Sequence, residues 1–86
     1  MGKVAITFRL MPEGPDVEMS VIEEEVKKAL GDSLRSMKSK PFAFGLNALF
    51  AVAVIMDEGG ADERLESALS QIKGVQSVET VGLDLI

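Results

Sequence analysis

Cysteine, histidine, tyrosine and tryptophan are all missing from this chain of 86 residues. Without cysteine there is no disulfide framework, thiolate nucleophile or sulfur-ligated metal, and a reducing, cytoplasmic setting fits best. Without histidine the usual general base and the commonest metal ligand are gone, which excludes most hydrolase and transition-metal designs. Positive charge is scarce too: nine Lys and Arg against fourteen Asp and Glu give a formal net charge of −5 and a pI near 4.6. That is the wrong sign for whole-surface attraction to nucleic-acid phosphates or anionic lipid, so neither a direct nucleic-acid partner nor a membrane is expected. The longest apolar run, Ala48 to Met56, is strand-sized and well short of the ~20 residues a membrane-spanning helix needs. Met1-Gly2-Lys3 leads straight into an alternating pattern, without the apolar run of a signal peptide.

What remains is a good core former. A hydrophobic fraction of 47%, a charged fraction of 27% and a mean hydropathy of +0.21 describe a globular chain. Its length suits a single domain over residues 1–86, of the size that buries roughly 60–65% of the unfolded surface.

Val4, Ile6, Phe8 and Leu10 alternate with Lys3, Ala5, Thr7 and Arg9, the period of a strand with one buried face. Met11-Pro12-Glu13-Gly14-Pro15 is expected to stop it in a turn, and Asp16 to cap a helix from Val17 to Leu30. In that helix Ile22, Val26, Ala29 and Leu30 form the apolar stripe, and Gly31 ends it. Asp32 to Phe42, polar and basic with Pro41 near its end, suits a short edge strand. Leu46 to Asp57 is apolar on both phases and reads as a central strand. Gly59-Gly60 breaks it, Asp62 can cap a second helix striped by Leu65, Ala68, Leu69 and Ile72, and Val75 to Leu85 returns as a last strand. The order β-α-β-β-α-β with right-handed crossovers implies an α+β, ferredoxin-like sandwich, a four-stranded antiparallel sheet with two helices on one face.

No side chains in this pattern make a catalytic constellation. Glu23-Glu24-Glu25 spreads over about 200° of a helix surface, so its carboxylates splay apart on a solvated face. Asp57-Glu58 with Asp62-Glu63 matches no calcium loop, and acids near a helix start are favoured by the dipole, so no metal is expected. Gly45 and Gly59-Gly60 form neither GxGxxG nor a Walker loop, so no cofactor or nucleotide is expected to bind the chain itself. Lys27, Lys28, Arg35, Lys38 and Lys40 cluster between the first helix and the second strand, where edge-strand lysines that block sheet-to-sheet pairing compete with an RNA patch. An RNA-reading sheet of this topology stacks bases on exposed aromatics, and the chain has only four, all Phe.

Pro41-Phe42-Ala43-Phe44-Gly45-Leu46 stands apart, because two aromatics sit at a proline- and glycine-flanked hairpin where at least one lies near solvent. Aromatics at such tips recur as anchors of protein interfaces. If Ala51 and Ala53 face the helices, Phe50, Val52 and Val54 line the open face of the sheet.

The start Val4-Ala5-Ile6-Thr7 to Met11-Pro12, then Pro15-Asp16-Val17, then Pro41-Phe42-Ala43-Phe44-Gly45-Leu46-Asn47-Ala48-Leu49 resembles the archaeal elongation factor 1-beta family along the whole chain. The resemblance implies a ferredoxin-like nucleotide-exchange factor without chemistry of its own, acting on the GTPase elongation factor 1-alpha to promote GDP release in protein synthesis. It implies a partner surface drawn from Phe44, Gly45, Phe42, Pro41, Met11, Pro12, Lys40 and Leu85. In eukaryotic relatives an aromatic matching Phe44 engages the GTPase, and a lysine matching Leu85 intrudes where magnesium sits. Leucine carries no charge to compete for magnesium ligands, which leaves Lys40, Lys38 or displacement of switch elements to loosen the ion. The residues alone also fit a small-molecule-sensing regulatory domain of the same topology, with Met11 to Pro15 as its ligand loop and paired sheets in a dimer, or an RNA-binding module.

Overall fold

The computed structural model describes residues 2–56 and 59–86. Its elements are β1 (Lys3–Pro12), α1 (Met19–Leu30), β2 (Leu34–Pro41), β3 (Asn47–Met56), α2 (Ala61–Ser70) and β4 (Val75–Leu85), with short 3-10 turns at Gly31–Ser33 and Ala43–Gly45. The strands form one sheet in the order β2-β3-β1-β4, and every neighbouring pair is antiparallel. This is the ferredoxin-like arrangement that the element order implies.

Register explains where the core lies. Val4, Ile6, Phe8 and Leu10 pair with Ile55, Ala53, Ala51 and Leu49, so one phase of each central strand points to the same face. Against that face pack Ile22, Val26 and Leu30 of α1 and Leu69 of α2, all buried. Ala51 and Ala53 are fully buried, as expected for small residues beneath close-packed helices. Phe50, Val52 and Val54 are half-buried on the other phase and line the open face.

Three boundaries differ from the sequence expectations. β1 runs on through Pro12, past the expected stop after Leu10. Pro12 sits at the last pairing with β4, opposite Val75 and just beyond a register shift after Met11, an irregular place where a missing N–H is tolerated. α1 starts at Met19 because Gly14-Pro15-Asp16-Val17 closes as a separate turn, Val17 N donating to Gly14 O at 3.3 Å. Asp16 therefore belongs to that turn, and Glu18 takes the N-cap position without a side-chain cap bond. At α2 the cap is Gly60 in the left-handed region (φ 81°), and Asp62 and Glu63 occupy the first turn, where the helix dipole favours acids.

The glutamate run on α1 behaves as a solvated face. Glu24 and Glu25 lie 4.0 Å from Lys27 and 3.3 Å from Lys28 as i,i+3 pairs. Among the described residues no helix is long and apolar enough to cross a membrane.

Candidate functional site

The β2–β3 connection is a tight hairpin built on two backbone bonds. Phe42 N donates to Leu46 O at 2.7 Å, and Leu46 N donates to Ala43 O at 3.2 Å. Between them Phe44 (φ 61°, ψ 30°) and Gly45 (φ 74°) both take positive φ, the pattern of a type I′ turn. Glycine at the second position meets that demand without steric cost. Phenylalanine at the first does not: a left-handed conformation costs a side-chain-bearing residue roughly 1–2 kcal/mol, and Asn or Asp usually stands there. Phe44 is also the only non-glycine residue with positive φ among those described. The residue is 95% exposed, so packing among the described residues does not offset the strain. A residue kept in such a conformation with its ring in water points to a use outside the fold.

Behind the tip the open face carries a cluster of aromatic and basic side chains. Lys38 pairs in register with Phe50 and Lys40 with Ala48, so both lysines share the phase of the open face. Lys40 Nζ lies 5.3 Å from the centroid of the Phe50 ring. Phe42, 47% exposed, has its ring centroid 5.3 Å from Cζ of Arg9 on β1. Arg9 Nη2 donates to Glu79 Oε1 on β4 at 2.6 Å. Met11, next in phase after Arg9, is half-buried at the same end.

The structure thus brings Phe44, Gly45, Phe42, Pro41, Lys40 and Met11 to one end of the sheet. Pro12 joins them in position but is buried, so it supports the end of β1 from inside. Leu85 does not join them. It pairs with Val4, whereas the hairpin end is marked by the Leu10–Leu49 pair, a separation of about 20 Å at strand rise. Sharing the phase of core-facing Val4, Leu85 also lies on the opposite face from Lys40 and is 75% exposed beside Ile86. The molecule measures 42 × 20 × 18 Å, and the Phe44 tip and Leu85 lie towards opposite ends of its sheet. A partner touching both must reach the length of the sheet and around to its other face.

Sequence reasoning passed over Arg9 and Glu79. The available signal was an arginine on the open-face phase of a central strand, since β1 is flanked on both sides and a solvated charge there needs a neighbour. The expectation about an acidic cluster falls partly on Asp57 and Glu58, which lie outside the described residues. Among the described residues no three acidic side chains form a group able to hold a metal ion.

Comparison with known proteins adds a family. Residues 5–86 match the model of the EF-1 guanine nucleotide exchange domain. The chain is 39% identical to elongation factor 1-beta of Methanosphaerula palustris over 85 residues, covering 99% of both chains. It is 38% identical to elongation factor 1-beta of Methanoculleus marisnigri over 86 residues, covering all of both. Among solved structures, the ACT domain of a GTP pyrophosphokinase from Chlorobium tepidum superposes with a TM-score of 0.65 at 13% identity, over 92% of this chain and 99% of that one. The C-terminal domain of MgtC from Mycobacterium tuberculosis gives 0.69 at 18% identity, over 99% and 89%. At such identities the two structures speak for the fold alone.

Proposed function

The chain belongs to the EF-1 guanine nucleotide exchange domain family, and from that premise we propose that it promotes GDP release from translation elongation factor 1-alpha by seating the tip of its β2–β3 hairpin, with Phe44 as the anchor, against the GTPase. The observation that carries the site is Phe44 itself, a ring 95% exposed at a strained position of a well-bonded turn. The two backbone bonds fix the turn before docking, so only the rotation of the exposed ring is lost on binding.

Exchange by such a module is linkage rather than bond chemistry. If the factor binds nucleotide-free GTPase more tightly than the GDP form, GDP binds the complex more weakly by the same factor, typically about 1–3 kcal/mol or roughly 5- to 150-fold. No general acid, base or nucleophile is required, which agrees with a chain lacking histidine and cysteine. Lys40, at the base of the hairpin on the open face, is the cation nearest in sequence to Phe44 and docks with it. Because Leu85 lies at the other end of the sheet and on its other face, magnesium is loosened through the docked hairpin, by Lys40, Lys38 or displacement of switch elements.

Calorimetry tests the linkage directly. The chain is expected to bind nucleotide-free elongation factor 1-alpha at least tenfold more tightly than the GDP-bound form. Equal affinities would remove the thermodynamic basis of exchange.

A further inference from the structure

We propose that Arg9 is a positioning residue for this exchange reaction, holding the hairpin through Phe42 rather than touching the GTPase. The proposal rests on the reading of the hairpin as the docking element. β2 is an edge strand, attached to the sheet only through β3, and its pairing carries a register irregularity between Leu34 and Ser36. Leu34 and Met37 pack the first part of β2 against the core, so it is the stretch beyond Met37, Lys38 to Pro41 and the turn, that depends on its ladder to β3 alone. The open face counters this with a chain of side chains running across the sheet. Phe42, just past the end of β2, reaches over β3 to lie on the Arg9 guanidinium of β1, and that guanidinium is fixed by Glu79 of β4. Ala48 of β3, on the same open phase, is completely buried although, among the described residues, no helix covers that side.

The arginine is held tightly for a surface residue. Its side chain is 25% exposed, and its Nε is buried without a hydrogen-bond partner. A solvated arginine would turn that donor to water, so the pose is set by the cation–π contact with Phe42 and by the Glu79 carboxylate. Planarity matters here, because a guanidinium can lie over a ring and bond a carboxylate in its own plane at once.

The test uses two readouts on the full chain. In the isolated protein, Arg9→Met keeps the aliphatic stem on β1 but frees Phe42. The Phe42 and Leu46 amides, which close the hairpin, are then expected to exchange with solvent roughly 3- to 10-fold faster, while amides of the central β1–β3 ladder keep their rates. In a titration of GDP release from elongation factor 1-alpha, the same variant is expected to raise the half-maximal concentration roughly 3- to 10-fold with the maximal rate unchanged. Phe42→Ala is expected to do the same, and the double variant to lose no more than the worse single one. Glu79→Gln, which keeps shape but removes the charge, shifts both readouts less in the same direction, and Arg9→Lys recovers part of the loss. Unchanged hairpin amide rates overturn the proposal, as does an unaltered titration. Additive losses in the double variant overturn it too, since Arg9 would then act on the GTPase by itself. If the wild-type chain fails to accelerate GDP release, the functional reading fails, while the amide rates still decide whether Arg9 holds the hairpin.

Discussion

Replacing Phe44 by asparagine should move folding and function in opposite directions. The ring is 95% exposed, so its removal takes almost no packing from the fold, whereas a core phenylalanine cut to alanine costs about 3–5 kcal/mol. Asparagine tolerates the left-handed conformation that Phe44 adopts at φ 61°, and Asn-Gly is a preferred pair for a type I′ turn. Relief of part of a strain of roughly 1–2 kcal/mol should leave the variant as stable as the parent, or more stable by up to about 1 kcal/mol. For a domain of this size that corresponds to a rise in Tm of at most about 4–8 °C. Binding should fall instead. An anchoring aromatic contributes about 2 kcal/mol or more, so affinity for elongation factor 1-alpha is expected to drop roughly 30-fold. Thermal unfolding and a GDP-release titration on one purified Phe44→Asn preparation read both quantities. A lowered Tm would mean that the ring packs inside the fold. An unchanged titration would mean that the strain at Phe44 serves something other than this partner.

Gly74 adopts φ +95°, and a Cβ there would lie 3.1 Å from Val17 Cγ1, so Gly74→Ala is expected to destabilise by more than about 1 kcal/mol in urea unfolding. Phe8 is wholly buried at the centre of the sheet, and Phe8→Ala should cost about 3–5 kcal/mol in the same assay. Leu85 is 75% exposed, so Leu85→Ala should change stability by less than about 0.5 kcal/mol and leave GDP release near the parental rate. Leu85→Lys, which places a cation at that position, is expected to raise that rate; parental rates in both variants would leave the C-terminal end outside the mechanism.

Much of the fold was legible because burial imposes periods. β4 runs from Val75 to Leu85, the span that the sequence marks, and β3 is recognisable as central because both of its phases are apolar. Helix starts were harder. Asp16 looks like a cap, but Pro15 directs its neighbours into a turn of their own, and at α2 a left-handed glycine does what a side-chain cap would have done. Pro12 misled in the other direction, since a proline ends a strand only where the next ladder bond needs its N–H. That at least one of Phe42 and Phe44 lies near solvent was legible from the proline- and glycine-flanked hairpin, but the left-handed backbone of Phe44 was not, because phenylalanine is a poor candidate for that position. The distance between Phe44 and Leu85 depends on register, which no local pattern reveals. Arg9 and Glu79 are 70 residues apart in the chain, and only the β1–β4 pairing makes them neighbours.

The most direct measurement is release of fluorescent GDP from elongation factor 1-alpha with the chain present well below stoichiometric amounts, run beside Phe44→Asn. Each molecule of the chain is expected to turn over many GTPase molecules and to speed release severalfold or more, with the variant needing roughly 30-fold more protein for the same rate. Release that rises only in proportion to the amount of chain added, or that proceeds equally with parent and variant, would contradict an exchange factor anchored by Phe44.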